Sequence, residues 1–124
     1  MENKYTILVA EDEDYNFKLL KYILEKEGIK VLWAKNGLEA VEMFKENKSI
    51  DLVMMDIKMP LMTGIEAIIE IKKVNSSIPS IAVTAYAMDK DKTKCLDAGF
   101  DEYVTKPVNR VELMYLTYKL LMEK

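Results

Sequence analysis

Five short apolar runs alternate along the chain with segments whose apolar residues recur every three or four positions. Residues 5–10, Tyr-Thr-Ile-Leu-Val-Ala, are β-branched and apolar and stop at Glu11-Asp12-Glu13-Asp14, the pattern of a buried strand ending in acid. Over residues 15–27, Phe17, Leu20, Ile23 and Leu24 follow the spacing of an amphipathic helix, with Asp14 expected as N-cap and Gly28 as C-cap. Val31-Leu32-Trp33-Ala34 predicts a second strand. Asn36-Gly37 then turns the chain into a helix carrying Leu38, Val41, Met43 and Phe44 to about residue 48. Residues 52–56, Leu-Val-Met-Met-Asp, lie between Asp51 and Pro60 and read as a strand buried on both faces, although periodicity alone leaves a helix segment open.

Pro60 and Gly64 bracket a loop, after which Ile65, Ile68, Ile69 and Ile71 mark a third helix that closes at Asn75-Ser76-Ser77. Its β-branched content is high, so packing must outweigh propensity. Ser80-Ile81-Ala82-Val83-Thr84 is a fourth strand, ending on a hydroxyl. Residues 89–98 are helical in composition but weakly apolar, with Cys95 and Leu96 as the inward candidates and Gly99 closing the segment. Residues 102–105 form a brief fifth strand before Lys106-Pro107, and 108–123 a last helix. That helix carries Val111, Leu113, Met114, Tyr115, Leu116, Tyr118, Leu120 and Leu121, more apolar positions than one buried face uses. Part of its surface is expected to meet another protein.

Strand starts near residues 5, 31, 52, 80 and 102 recur every 21 to 28 residues, each followed by a helix. Strict alternation of this kind specifies an α/β fold: a doubly wound sheet of five parallel strands with helices on both faces. At 124 residues the chain fits one domain, residues 1–124, without repeats or linkers. Half the residues are hydrophobic and 31% charged, as in ordinary globular proteins. No apolar run approaches the ~18 residues of a membrane helix and the start lacks a signal-peptide core, so a cytoplasmic location is expected.

A net charge of −3 with scattered lysines argues against direct nucleic-acid binding. The single cysteine, Cys95, excludes an intramolecular disulfide. The absence of histidine removes Ser-His-Asp and Cys-His catalysis, histidine metal sites and a phosphohistidine-carrier role. Chemistry here must run on carboxylates, hydroxyls and lysines.

In a parallel sheet the strands' carboxyl ends share one edge, where ligands bind. To that edge the five strands deliver Glu11 and Asp12, then Lys35, Asp56, Thr84 and Lys106. Taken singly, each has a local use: a solvated acidic run, a turn-capping Asp, a β-forming Thr, a surface Lys. Taken together, three carboxylates need a compensating cation, and all-oxygen ligation suits Mg²⁺. Asp56 beside Mg²⁺, faced by the Lys106 ammonium and the Thr84 hydroxyl, is what phosphoryl transfer to a carboxylate requires.

The chain resembles the receiver domains of two-component response regulators, the CheY-like superfamily with a (βα)5 flavodoxin-like fold. The matching segments are Ile7-Leu8-Val9-Ala10-Glu11-Asp12, residues 51–60 with Gly64, Ala82-Val83-Thr84-Ala85, Ala98-Gly99-Phe100-Asp101 and Tyr103-Val104-Thr105-Lys106-Pro107. The resemblance implies Asp56 as phosphoacceptor and Mg²⁺ held by Asp12, Asp56, Glu11 and the backbone carbonyl of Lys58. Glu11 stands where many members have Asp. Thr84 and Lys106 would contact the phosphoryl group, Tyr103 would be the aromatic switch, and the Lys106-Pro107 bond would be cis. Lys58 and Tyr86 fall two residues past Asp56 and Thr84, positions that in the family line the route of the hydrolytic water; the bulk of Tyr86 is expected to slow loss of phosphate.

The implied partner is a histidine kinase or histidine phosphotransfer domain, with switching through helix 89–98, Tyr103 and the last helix, and a homodimer through the two helices as a further possibility. The run Ala10-Glu11-Asp12-Glu13-Asp14-Tyr15-Asn16 resembles receivers of hybrid sensor kinases; a stand-alone regulator is the other setting. A phosphohydrolase with an aspartyl-phosphate intermediate would want an acid two residues after the nucleophile, where Lys58 stands, so a turnover enzyme is not expected. A degenerate receiver serving only as a binding module is opposed by the full set Asp12, Asp56, Thr84 and Lys106.

Overall fold

The computed structural model describes residues 5–85 and 88–123. The apolar runs form strands β1 (Thr6–Ala10), β2 (Lys30–Ala34), β3 (Leu52–Met55), β4 (Ser80–Thr84) and β5 (Glu102–Thr105). Between and after them lie helices α1 (Asp14–Lys26), α2 (Gly37–Glu46), α3 (Gly64–Val74), α4 (Asp89–Ala98) and α5 (Arg110–Met122). All strand pairs are parallel and the order is β2-β1-β3-β4-β5, the doubly wound sheet that the alternation predicts and the (βα)5 flavodoxin-like fold that the resemblance implies. Successive side chains on a strand point to opposite faces, so each central strand contributes to two cores. Leu8, Val53, Met55 and Ala82 pack with α2, α3 and Cys95 of α4. Ile7, Val9, Leu52, Met54, Ile81 and Val83 pack with α1 and α5 on the other face. Burial on both sides is why β3 reads as an unbroken apolar run, and it settles that segment as a strand.

Several boundaries differ from the sequence reading. Asp14 is not the N-cap of α1: Glu13 holds that position without a side-chain cap bond, its carboxylate accepting instead from Asn16 Nδ2 at 3.3 Å. Asp14 opens the helix, where its charge still complements the positive end of the helix dipole. Glu27 is the C-cap, and Gly28 follows it at φ +75°. The Gly28 amide donates to Glu25 and the Ile29 amide to Leu24, a Schellman closure that needs the left-handed residue. Asn36 caps α2 through the Glu39 amide, and the helix ends at Glu46, with Asn47 as its cap. α5 starts at Arg110 and not at residue 108, because the Asn109 side chain accepts from the Glu112 amide and fixes the first turn there. In α4, Cys95 is buried but Leu96 is 41% exposed, so the second inward candidate faces out. In α5, Leu113, Met114, Leu120 and Leu121 are buried while Val111, Tyr115 and Met122 are exposed, the surplus apolar surface expected there.

The loop between β3 and α3 is clamped by two glycines. A Cβ on Gly64 would lie 2.2 Å from the Asp56 carbonyl oxygen, and one on Gly37 2.2 Å from the Met62 carbonyl oxygen. In their place are backbone bonds, Gly64 amide to Ile57 at 2.8 Å and Gly37 amide to Met62 at 3.1 Å. Gly64→Ala is therefore expected to destabilise by about 1–3 kcal/mol through overpacking, against a helix-propensity gain of about 1 kcal/mol. Urea unfolding measures the balance; a net gain in stability would show that the loop yields freely.

Candidate active site

The strand order makes the site. β1 and β3 are neighbours, so the residues that follow them emerge side by side: the Asp56 amide donates to the Ala10 carbonyl at 2.9 Å and the Glu11 amide to Ala34 at 3.0 Å. Ligand oxygens of Glu11, Asp12 and Asp56 all lie within 4.8 Å of one another. Glu11 and Asp56 are buried and Asp12 is exposed. At that spacing each ionised pair repels by roughly 3–4 kcal/mol at an effective dielectric of 20.

Lys106 enters from the end of β5 and bridges the buried pair. Its Nζ donates to Glu11 Oε1 at 2.8 Å and to Asp56 Oδ2 at 3.1 Å. Its own amide donates to the Thr84 carbonyl at 2.8 Å, which ties the lysine to the end of β4, and the Lys106–Pro107 peptide is cis. Asp56 Oδ1 accepts from the Ile57 amide at 2.7 Å, and Glu11 Oε2 from the Glu13 amide at 3.2 Å. Burial pushes the Glu11 carboxyl from its ordinary 4.5 up to about 7, with the Asp56 charge adding to the shift and the Lys106 hydrogen bond opposing it. For Lys106, burial disfavours the ammonium, but the hydrogen bond to Glu11 and the Asp56 charge outweigh it and hold the group above its ordinary value.

The Lys106 ammonium thus faces a cluster of three carboxylates, a hard, all-oxygen donor set rich in negative charge. That chemistry fits a divalent cation such as Mg²⁺.

The remaining predicted residues surround this cluster. Thr84 is buried at the end of β4 and, with the exposed Lys58, lines an adjoining cavity of about 460 Å³ together with Ile57, Ile65 and Cys95. Tyr103 is half-buried on β5; its hydroxyl is enclosed with no hydrogen-bond partner among the described residues, and burial raises its phenol pKa. Tyr86 lies outside the described residues. Sequence reading missed Trp33. Its indole Nε1 donates to the Glu11 carbonyl at 2.8 Å, a contact across 22 positions that no local spacing signals.

The chain matches the response regulator receiver domain model over residues 7–117, and it belongs to that family. It is 47% identical over 111 residues to hybrid signal transduction histidine kinase I of Dictyostelium discoideum, covering 83% of this chain but only 6% of that kinase. To the chemotaxis protein CheY of Halobacterium salinarum it is 42% identical over 108 residues, covering 87% and 89% of the two chains. Among solved structures, the receiver domain of a sensor histidine kinase from Pseudomonas aeruginosa, with a magnesium ion in its active-site cleft, superposes with a TM-score of 0.88 at 30% identity over 95% of this chain and 98% of that one. A chain of the complex between the Saccharomyces cerevisiae histidine phosphotransfer protein Ypd1 and the receiver domain of its downstream response regulator Ssk1 gives 0.82 at 33%, over 97% and 88%. The chain is thus a receiver domain of the two-component phosphorelay kind.

The raised Glu11 pKa has a consequence for stability. Because folding raises this carboxyl, the fold favours its protonated form; that contribution is complete below about pH 4.5 and is lost as the pH climbs through about 7. In chelator, Glu11→Gln is expected to be more stable than the parent protein at pH 8 by on the order of 1–3 kcal/mol, a gain that narrows toward pH 5. Urea midpoints at the two pH values measure it; equal midpoints at pH 8 would mean that the ionised carboxylate costs nothing.

Proposed function

We propose that residues 1–124 form a single receiver unit in which Asp56 accepts a phosphoryl group from the phosphohistidine of a histidine kinase or histidine phosphotransfer domain. The observation that carries this reading is the Lys106 bridge across Glu11 and Asp56, with Asp12 completing the acidic cluster. An Asp56 carboxylate oxygen forms the new bond to phosphorus while the donor's N–P bond breaks, and the imidazole nitrogen keeps the electron pair. Asp12, Asp56, Glu11 and the backbone carbonyl of Lys58 would hold Mg²⁺, which would supply positive charge beside the phosphoryl oxygens. Lys106 exchanges its Asp56 contact for a phosphoryl oxygen, and Thr84 donates its hydroxyl to another.

The same residues set the lifetime and output. Lys58, where a hydrolase would carry its acid, supports self-phosphorylation with slow loss of phosphate over turnover, and the bulk of Tyr86 is expected to slow that loss further. Tyr103, α4 and α5 carry the change to partners, with a homodimer through α4 and α5 as one outlet. The Ypd1–Ssk1 complex supports a phosphotransfer partner. The hybrid-kinase relative and the CheY relative support, respectively, a segment of a hybrid kinase and a stand-alone regulator. A cytoplasmic setting belongs to the same reading; among the described residues no helix is long and apolar enough to cross a membrane.

Incubation with Mg²⁺ and acetyl phosphate, followed by intact mass, tests the proposal. One phosphoryl adduct is expected, absent in Asp56→Asn and formed about tenfold or more slowly in Thr84→Ala and Lys106→Ala. An adduct that persists in Asp56→Asn would move the acceptor elsewhere; no adduct at all would leave a binding module.

A further inference from the structure

The acidic loop after β1 is held from the side by β2. Val9 pairs with Trp33 and Ala10 with Ala34 in the parallel register, which brings the end of β2 level with Glu11. The Glu11 amide donates to the Ala34 carbonyl at 3.0 Å, and the Glu11 carbonyl accepts from the Trp33 indole at 2.8 Å. Both polar backbone groups of Glu11 are thus bound to two consecutive residues of one strand.

The indole that makes the second bond is itself fixed. Its ring stacks on Phe17 of α1, with centroids 4.1 Å apart and planes 4° from parallel, and the Lys35 ammonium stands 4.9 Å from the ring centroid. A donor held this way has little freedom to follow a moving acceptor, so the acceptor is held instead. The acceptor belongs to the peptide that joins Glu11 to Asp12. Glu11's side chain is already anchored by Lys106 and the Glu13 amide, whereas Asp12 is exposed and follows directly on this peptide.

We infer that Trp33 is a positioning residue for the metal site: its indole N–H locks the Glu11–Asp12 peptide and thereby aims the Asp12 carboxylate at the cluster. The inference rests on the proposed function for the metal, but the locking itself is a property of the metal-free protein. Outer contacts that orient ligands are typically worth 10- to 100-fold in metal affinity, and one hydrogen bond to a backbone carbonyl belongs at the low end.

The test replaces Trp33 with β-(3-benzothienyl)alanine, which exchanges the indole N–H for sulfur and keeps the stacking area, alongside Trp33→Phe. Two readouts are taken by NMR. In the metal-free protein the Asp12 amide is expected to be rigid in the parent and mobile in the isostere; equal order would overturn the inference. On titration with Mg²⁺, the isostere is expected to bind about tenfold more weakly with its urea midpoint nearly unchanged; equal affinity would overturn it too. If the parent protein fails to bind Mg²⁺, the metal reading fails, and the Asp12 relaxation comparison still decides the role of Trp33.

Discussion

Crowding of like charge at one edge of a parallel sheet is the constraint on which the rest of this structure depends. Glu11 and Asp56 are almost wholly removed from water, with 1% and 8% of their surface exposed, and they stand within 4.8 Å of each other and of Asp12. Burying charge is tolerated only where it is paired and hydrogen-bonded. Among the described residues the Lys106 ammonium and the two amides of Ile57 and Glu13 meet part of that demand. In the proposed chemistry the residual negative charge would drive uptake of a cation and is also what a phosphoryl group would exploit: its arrival would draw Lys106 away from Asp56.

A site with unbalanced charge needs a stiff frame, and each segment around it is pinned by backbone contacts. β2 holds Glu11 at both ends, Gly37 and Gly64 hold the loop after Asp56 at distances that admit no side chain, and Thr84 holds the Lys106 amide. Within that loop Leu61 adopts φ +69° and the Met62 amide closes onto the Pro60 carbonyl at 2.7 Å, the closure of a γ-turn centred on Leu61. The two hydrophobic cores, one on each face of the sheet, supply the rigidity beneath.

The opposite quality appears in α4. Among its described residues only Cys95 is fully buried, and burial pushes that thiol up to about 11, the behaviour of an inert packing group. Beside it the Tyr103 hydroxyl is enclosed with no partner among the described residues. A helix anchored by so little, next to an aromatic whose polar end finds no partner among the described residues, is the element through which the proposed switching would act. It adjoins Thr84 across the shared cavity.

The periodicities determined the five strands and five helices, because burial on both faces of a parallel sheet leaves uninterrupted apolar runs and one-sided helices leave a stripe. The same alternation determined that Glu11, Asp12, Asp56, Thr84 and Lys106 share an edge, since parallel strands all end on one side. Caps were less legible: Glu13 displaced Asp14, and Leu96 faces solvent, because those outcomes turn on single hydrogen bonds and a rotation of α4. What only the tertiary structure decided is which ends are adjacent. The order β2-β1-β3-β4-β5 sets Glu11 against Asp56, lets Lys106 reach both from across the sheet, and brings the Trp33 indole onto the Glu11 carbonyl. Strand order is fixed by how the helices pack on the two faces, a sum over contacts far apart in the chain, and no single stretch of sequence contains it.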